Sequence, residues 1–193
     1  PMNIISPVTA VLACIVPVVF GVLVGERPHA TAWFGIAIGL GAVVLVSRTN
    51  EEHPHGKIPH RVMALAFVAG LGFGFYFIFL ARAGDDSGLW PLLISRFASA
   101  FAIVPLARSR HAIAPIRGRM LAYTMLAGAC DASANLFFLL AAREGLLSIA
   151  SVLTSLYPAV TVILAVSLLH EHTSKVQRAG LTLAAAAIIL ITV

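Results

Sequence analysis

Residues 4–24, IISPVTAVLACIVPVVFGVLV, run for twenty-one positions without a charged side chain. At roughly 1.5 Å of rise per residue, a helix of that length just crosses the hydrocarbon core of a bilayer. The run stops at Gly25-Glu26-Arg27-Pro28-His29, a tight polar turn, and a second apolar run follows at 30–47. Five further stretches, 62–82, 89–107, 120–142, 147–169 and 176–193, bring the expected spans to seven. They are continuous runs, whereas a membrane barrel shows short segments of alternating polarity. The sequence therefore predicts an all-α, polytopic membrane protein of about seven transmembrane helices.

Composition agrees. Apolar residues make up 60% of the chain and Asp, Glu, Lys and Arg only 11%, against about 25% charged residues in a soluble domain. The mean hydropathy is +0.97. The net charge of +5 does not point to nucleic acid, because no basic patch is interleaved with aromatics and the only lysines are Lys57 and Lys175. The positive charges sit at span ends, where they orient segments in a bilayer. Loops after spans two, four and six carry Arg48, Lys57, Arg61, Arg108, Arg110, Arg117, Arg119, Lys175 and Arg178, and the other side carries Arg27, Arg82 and Arg143. Cys14 and Cys130 each lie inside an apolar run and read as small apolar filler, not as a disulfide or metal pair.

Small residues four apart let helix backbones approach in lipid. Gly35 and Gly39, Gly70 and Gly74, and Gly180 and Ala184 are such pairs, and each predicts a packing face. Prolines at 7, 17, 91, 105 and 158 lie within or near spans, and each removes a backbone donor. The longest polar stretch, RTNEEHPHGKIPHR at 48–61, is the expected linker between two halves. Its His53, His55 and His60 read as a solvated connector; no cysteine accompanies them, and no metal site is expected.

Shifting the chain by 145 residues lays its first two spans on its last two. Ile4, Ser6, Thr9, Leu23, Glu26, Gly35, Ala42 and Leu45 then fall on Ile149, Ser151, Thr154, Leu168, Glu171, Gly180, Ala187 and Leu190. The matched turn glutamate, with a glycine nine positions later in both copies, is the most specific part. The copies are five spans apart, and an odd number obliges the second to cross the membrane in the opposite sense. Inverted repeats of this kind are typical of secondary transporters. The second copy has five spans and the first shows two, which predicts that the chain lacks about three helices, roughly 85 residues, ahead of Pro1.

Segment 21–47, GVLVGERPHATAWFGIAIGLGAVVLVS, resembles the end of the first repeat in EamA-type permeases of the drug/metabolite transporter superfamily. Segment 146–193, with SLYPAVTVILAVSLLHEHTSKVQRAG at its core, resembles the end of their second repeat, and the stretch from Trp90-Pro91 to Arg96-Phe97 also fits. The chain departs from the pattern at His170, where a glycine is usual before the turn glutamate. It departs again at Ala13, which stands where the second copy has Pro158, with Pro17 one turn later. The resemblance implies a ten-helix inverted-repeat bundle around a central substrate path, permeation of metabolites or drugs, often by export, and no ATP motif or cofactor. It also implies both termini on the cytoplasmic side, whereas nine positive charges against three would put the C-terminus outside. In these terms residues 1–47 are the last two helices of a first repeat, 48–61 the linker and 62–193 a complete second repeat of five helices.

Ionisable groups inside a bilayer are costly, which makes them functional candidates. Arg96 lies about 10 Å inside its span by helical rise. Asp131 and Asn135, four apart, share a helical face with Gly128 and Phe138. An Arg96–Asp131 pair lining the path would bind a zwitterionic or anionic substrate or relay protons; a structural pair, or an arginine snorkelling to the interface, is the competing reading. Tyr76 and Tyr157 are candidate ligand contacts or packing aromatics. Glu26 and Glu171 read as turn caps with local partners such as Arg27 and Lys175, and Trp33 and Trp90 as interfacial anchors.

The expected protein is thus a multi-pass permease of the inner or plasma membrane and not an enzyme, since no nucleophile–base set or metal cluster converges. It works without ATP hydrolysis or cofactor, and its partners are a small-molecule substrate and the lipid bilayer. Either a homo-oligomer or the preceding helices complete the bundle. The alternative is a truncated non-transporting remnant or a membrane scaffold.

Overall fold

The computed structural model describes residues 2–47, 59–110, 117–169 and 173–192. Among these the regular structure is α1 (Met2–Leu23), α2 (Ala30–Val46), α3 (His60–Arg82), α4 (Trp90–Ser109), α5 (Arg119–Glu144), α6 (Leu147–Ser155), α7 (Tyr157–Leu169) and α8 (Lys175–Thr192), with a 3-10 turn at Asp85–Ser87. Counting α6 and α7 as one stretch, six of these segments are long and apolar enough to cross a membrane, and α2, at 17 residues, is a little shorter. The protein is an all-α, polytopic membrane protein. Most of the expected linker, residues 48–58 with His53 and His55, lies outside the described residues, as do His170, Glu171 and residues 111–116 of the 108–119 loop; His60 is the first residue of α3.

The sixth expected span is two helices. Pro158 has no N–H, so the carbonyl of Thr154 loses its i+4 donor. The chain tightens around the gap: the Leu156 N–H donates to the Leu153 carbonyl at 3.2 Å, and the Ala159 N–H to the Leu156 carbonyl at 2.9 Å. Pro7 and Pro17 sit inside α1 without ending it. The entry to α8 is a capping box in which the Gln177 N–H donates to Ser174 Oγ (3.1 Å) and the Ser174 N–H to Gln177 Oε1 (3.0 Å).

The glycines set the packing. On α3, a Cβ at Gly70 would stand 2.7 Å from the Leu12 side chain, and one at Gly74 2.6 Å from that of Val16. One turn earlier, Thr9 Oγ1 donates to the Ala66 carbonyl at 3.3 Å. Residue numbers rise together along this contact, so α1 and α3 run parallel. On the opposite flank Gly35 meets Ile191, Gly39 meets Ala187, and Gly180 meets Val46. Here one number falls as the other rises, so α2 and α8 are antiparallel. The shift of 145 carries Gly35 onto Gly180 and Val46 onto Ile191, which makes the contacts at the two ends of this helix pair images of each other. Ala42 and Ala187, a matched pair of the repeat, are both fully buried.

Alternating helix directions place the α1–α2, α3–α4 and α5–α6 turns at one end of the bundle, hereafter the Glu26 end. Trp33 and Trp90 lie in the first turns of α2 and α4 at that end, both exposed as interfacial anchors are. Arg61, Arg108, Arg110, Arg117, Arg119, Lys175 and Arg178 lie toward the other.

A Cβ at Gly180 would meet the backbone nitrogen of Val46 at 2.8 Å, whereas at Gly41, on α2, nothing stands within 4 Å. Gly180→Ala should therefore lower stability by roughly 1–3 kcal/mol through overpacking. Gly41→Ala should raise it by up to about 1 kcal/mol through helix propensity. Thermal unfolding midpoints of the two variants in detergent micelles check the opposite signs.

Candidate functional site

Asp131 and Asn135 are one turn apart on α5, which puts both side chains over the same groove. α3 presents Tyr76 to that groove, and α4 presents Arg96. Arg96 Nη2 lies 2.5 Å from Asp131 Oδ2. Asn135 Nδ2 donates to the Asp131 backbone carbonyl at 2.8 Å, and its Oδ1 accepts from the Tyr76 hydroxyl at 3.0 Å. The amide is thereby fixed at both ends. A continuous polar chain, Arg96–Asp131–Asn135–Tyr76, ties three helices together. Arg96 is engaged by a carboxylate inside its span, so snorkelling does not describe it.

Two adjoining cavities flank this chain. The first, about 300 Å³, lies between α3, α4 and α5 and is lined by Gly72, Tyr76, Ser95, Arg96, Ser99, Asp131 and Asn135 among others. The second, about 410 Å³, extends toward α1 and the α6–α7 break, with Thr9, Phe77, Phe138, Thr154, Ser155 and Tyr157 in its wall. Phe73, Tyr76, Asp131 and Asn135 belong to both. The polar chain thus forms the partition between a charged chamber and an aromatic one. Ser95 and Ser99 spend their hydroxyl protons on the carbonyls of Leu92 and Ser95, both at 2.8 Å, leaving their oxygens as acceptors only.

All five sequence candidates line these chambers. Arg96, Asp131, Asn135 and Tyr76 touch one another in series; Tyr157 belongs to the wall of the aromatic chamber alone, beside the break. Phe138 faces the cavity as its spacing from Asp131 and Asn135 implied, while Gly128 has nothing packed over it. Thr9, Phe77, Thr154 and Ser155 were not foreseen as wall residues. Thr9 and Thr154 had a visible signal, since they are identical partners in the repeat.

Glu26 is a cap, but not of its own turn. Its carboxylate crosses to the start of α6, accepting from the Leu147 N–H at 2.7 Å, the Ser148 N–H at 2.9 Å and the Ser148 hydroxyl. Gly21 makes room for it, because a Cβ there would collide with the carboxylate. Arg143, at the end of α5, donates to the Gly88 carbonyl at 2.9 Å and so holds the α3–α4 turn.

The described helices thus carry an ion pair within their apolar length, a break in the sixth span and two adjoining cavities. The profile of the EamA-like transporter family matches residues 60–193, from the first residue of α3 to the C-terminus. The chain belongs to the EamA-like transporter family. Members of this family are membrane transporters and not enzymes, and this one is an integral, multi-pass membrane protein. Comparison with curated proteins and with solved structures gives no match. In this EamA-like chain the matched region holds Tyr76, Arg96, Asp131, Asn135 and Tyr157, whereas Thr9 and Glu26 come from the two helices ahead of it.

Removing one member of the Arg96–Asp131 pair leaves the other charge without its partner inside a span, where an ionised group is costly. Arg96→Met and Asp131→Leu should each lower the thermal midpoint by more than the double variant does, with a coupling of roughly 0.5–3 kcal/mol. A double-mutant cycle in lipid nanodiscs measures it.

Proposed function

We propose that this protein carries a small metabolite or drug-like solute across the cell's inner or plasma membrane by alternating access, without ATP hydrolysis, with the solute contacting the Arg96–Asp131–Asn135–Tyr76 partition. The observation that carries the reading is the partition itself: a neutral ion pair between two chambers, beside the broken sixth span. A pair of opposite charges suits a zwitterion, whose two ionic groups can each replace one partner, and next best an anion that takes Arg96 from Asp131. Phe73, Phe77, Phe138 and Tyr157 supply an apolar wall for the rest of the solute, as in other small-molecule sites.

The bundle proposed for this activity has two repeats, residues 1–47 belonging to the first and 62–193 forming the second, in a ten-helix inverted arrangement. The mirrored glycine contacts of α2 and α8 support that division. A second reading, a scaffold that does not transport, draws on α4, which has no buried residue among those described.

Flux measured in proteoliposomes separates the two. The chain should take up small zwitterions or anions without ATP, and Asp131→Asn or Arg96→Gln should slow uptake by about tenfold or more, the factor carried by 1.4 kcal/mol of lost interaction. Unchanged flux in both variants removes the partition from the path. No flux of any solute by the unaltered chain favours the scaffold.

A further inference from the structure

We infer that the Glu26 end of the bundle is a gate, that α6 is its moving part, and that the Glu26 carboxylate is the latch. The inference rests on the transport reading, because a gate has meaning only where a solute passes.

The cavity is closed on one side. Followed toward the Glu26 end, three of its walls run into one apolar cluster: Ile78 and Leu80 of α3, Phe138 and Leu139 of α5, and Leu147 and Ala150 of α6. The rings of Phe77 and Phe138 close over the chamber with centroids 4.4 Å apart. Toward the other end no such cluster forms on α5, which is exposed at every residue from Arg119 to Ala134. For a solute to leave by the Glu26 end, this cluster has to part.

α6 is built to part it. The helix is nine residues long and carries Leu147 and Ala150, its share of the plug. Its C-terminal end meets α7 at Leu156, where Pro158 interrupts the ladder and the chain tightens. Its N-terminal end is held by Glu26. Ser148, Ser151 and Ser155 are all buried, as is Val152, which packs against Gly39 of α2, so a swing of α6 has to undo that contact as well as the plug. Ser151 Oγ is buried with no hydrogen-bond partner, an atom that water would satisfy once α6 moved. The latch is the only feature of this set that water can replace at little cost: both the carboxylate and the first N–H groups of a helix are well hydrated when apart. A hinge at Leu156, a third of the plug on the swinging segment and a polar catch at its tip together make α6 a door.

The test reads the door without any substrate. In the full chain with Cys14→Ala and Cys130→Ser, a reporter Ala150→Cys is reconstituted in liposomes and labelled with a membrane-impermeant maleimide from each side. With Glu26 present, labelling is slow from both sides. Glu26→Gln should speed labelling from the Glu26 end by about tenfold, as the charge-assisted bonds are lost, and Ser148→Ala, which keeps the backbone bonds, should speed it by less. A second reporter, Val43→Cys in the α2–α8 interface, should stay slow throughout. An unchanged rate at Ala150→Cys in the folded Gln variant overturns the assignment, as does an equal rise at Val43→Cys, which marks general loosening. If Glu26→Gln does not fold, Ser148→Ala decides alone, and an unchanged rate there overturns it. Labelling that responds while no solute is carried by the unaltered chain would sink the transport reading and leave the latch standing.

Discussion

Everything in this bundle depends on how closely α2 and α8 approach. Lipid offers no hydrophobic drive to press two apolar helices together, so association comes from packing, and packing needs backbones near enough to interlock. Gly35 and Gly180 provide that nearness, each filled by a side chain of the opposing helix, while Gly39 admits both Ala187 and Val152 of α6. The contact fixes the antiparallel sense of the two helices, and through the turns at 25–29 and 173–174 it fixes where α1 and α7 begin and end. The cavity is a consequence of that frame. α1 and α6 meet against it, α3 locks onto α1 through Gly70 and Gly74, and the space left between α3, α5 and the α6–α7 break becomes the aromatic chamber.

The polar groups divide into two kinds. Those at the Glu26 end, Glu26 and Arg143, are spent on backbone groups of turns and helix starts, and they hold elements in place. Those at midspan, Arg96 and Asp131, are spent on each other and stay partly open to the cavity, at 45% and 58% exposure. Only the second kind has capacity left for a ligand. That difference in satisfaction, and not the mere presence of charge, separates the site from the scaffold.

Much of this was legible in the chain. Span positions follow from the lengths of apolar runs, a property that lipid imposes residue by residue. The packing glycines showed through their spacing of four, and Arg96, Asp131 and Asn135 through their cost inside a span. What stayed hidden was distance in sequence. Glu26 was placed correctly in a turn, but its partner is 121 residues away and no local pattern names it. The break at Leu156 was equally obscure. Pro7, Pro17 and Pro158 look alike in the sequence, yet only Pro158 divides a helix. Thr9 and Thr154 were visible as repeat partners, but their meeting in one wall required the fold.

That solitary break sets the two copies of the repeat apart. The shift of 145 lays α1 on the α6–α7 pair, but Ala13 stands where the other copy has Pro158, and α1 runs unbroken for 22 residues. One arm is a rigid rod and the other has an elbow. A carrier built on such a pair is not obliged to open its two mouths by mirror-image motions. The jointed arm can yield locally, by a bend of nine residues, while the rod moves only as a whole and takes its neighbours along.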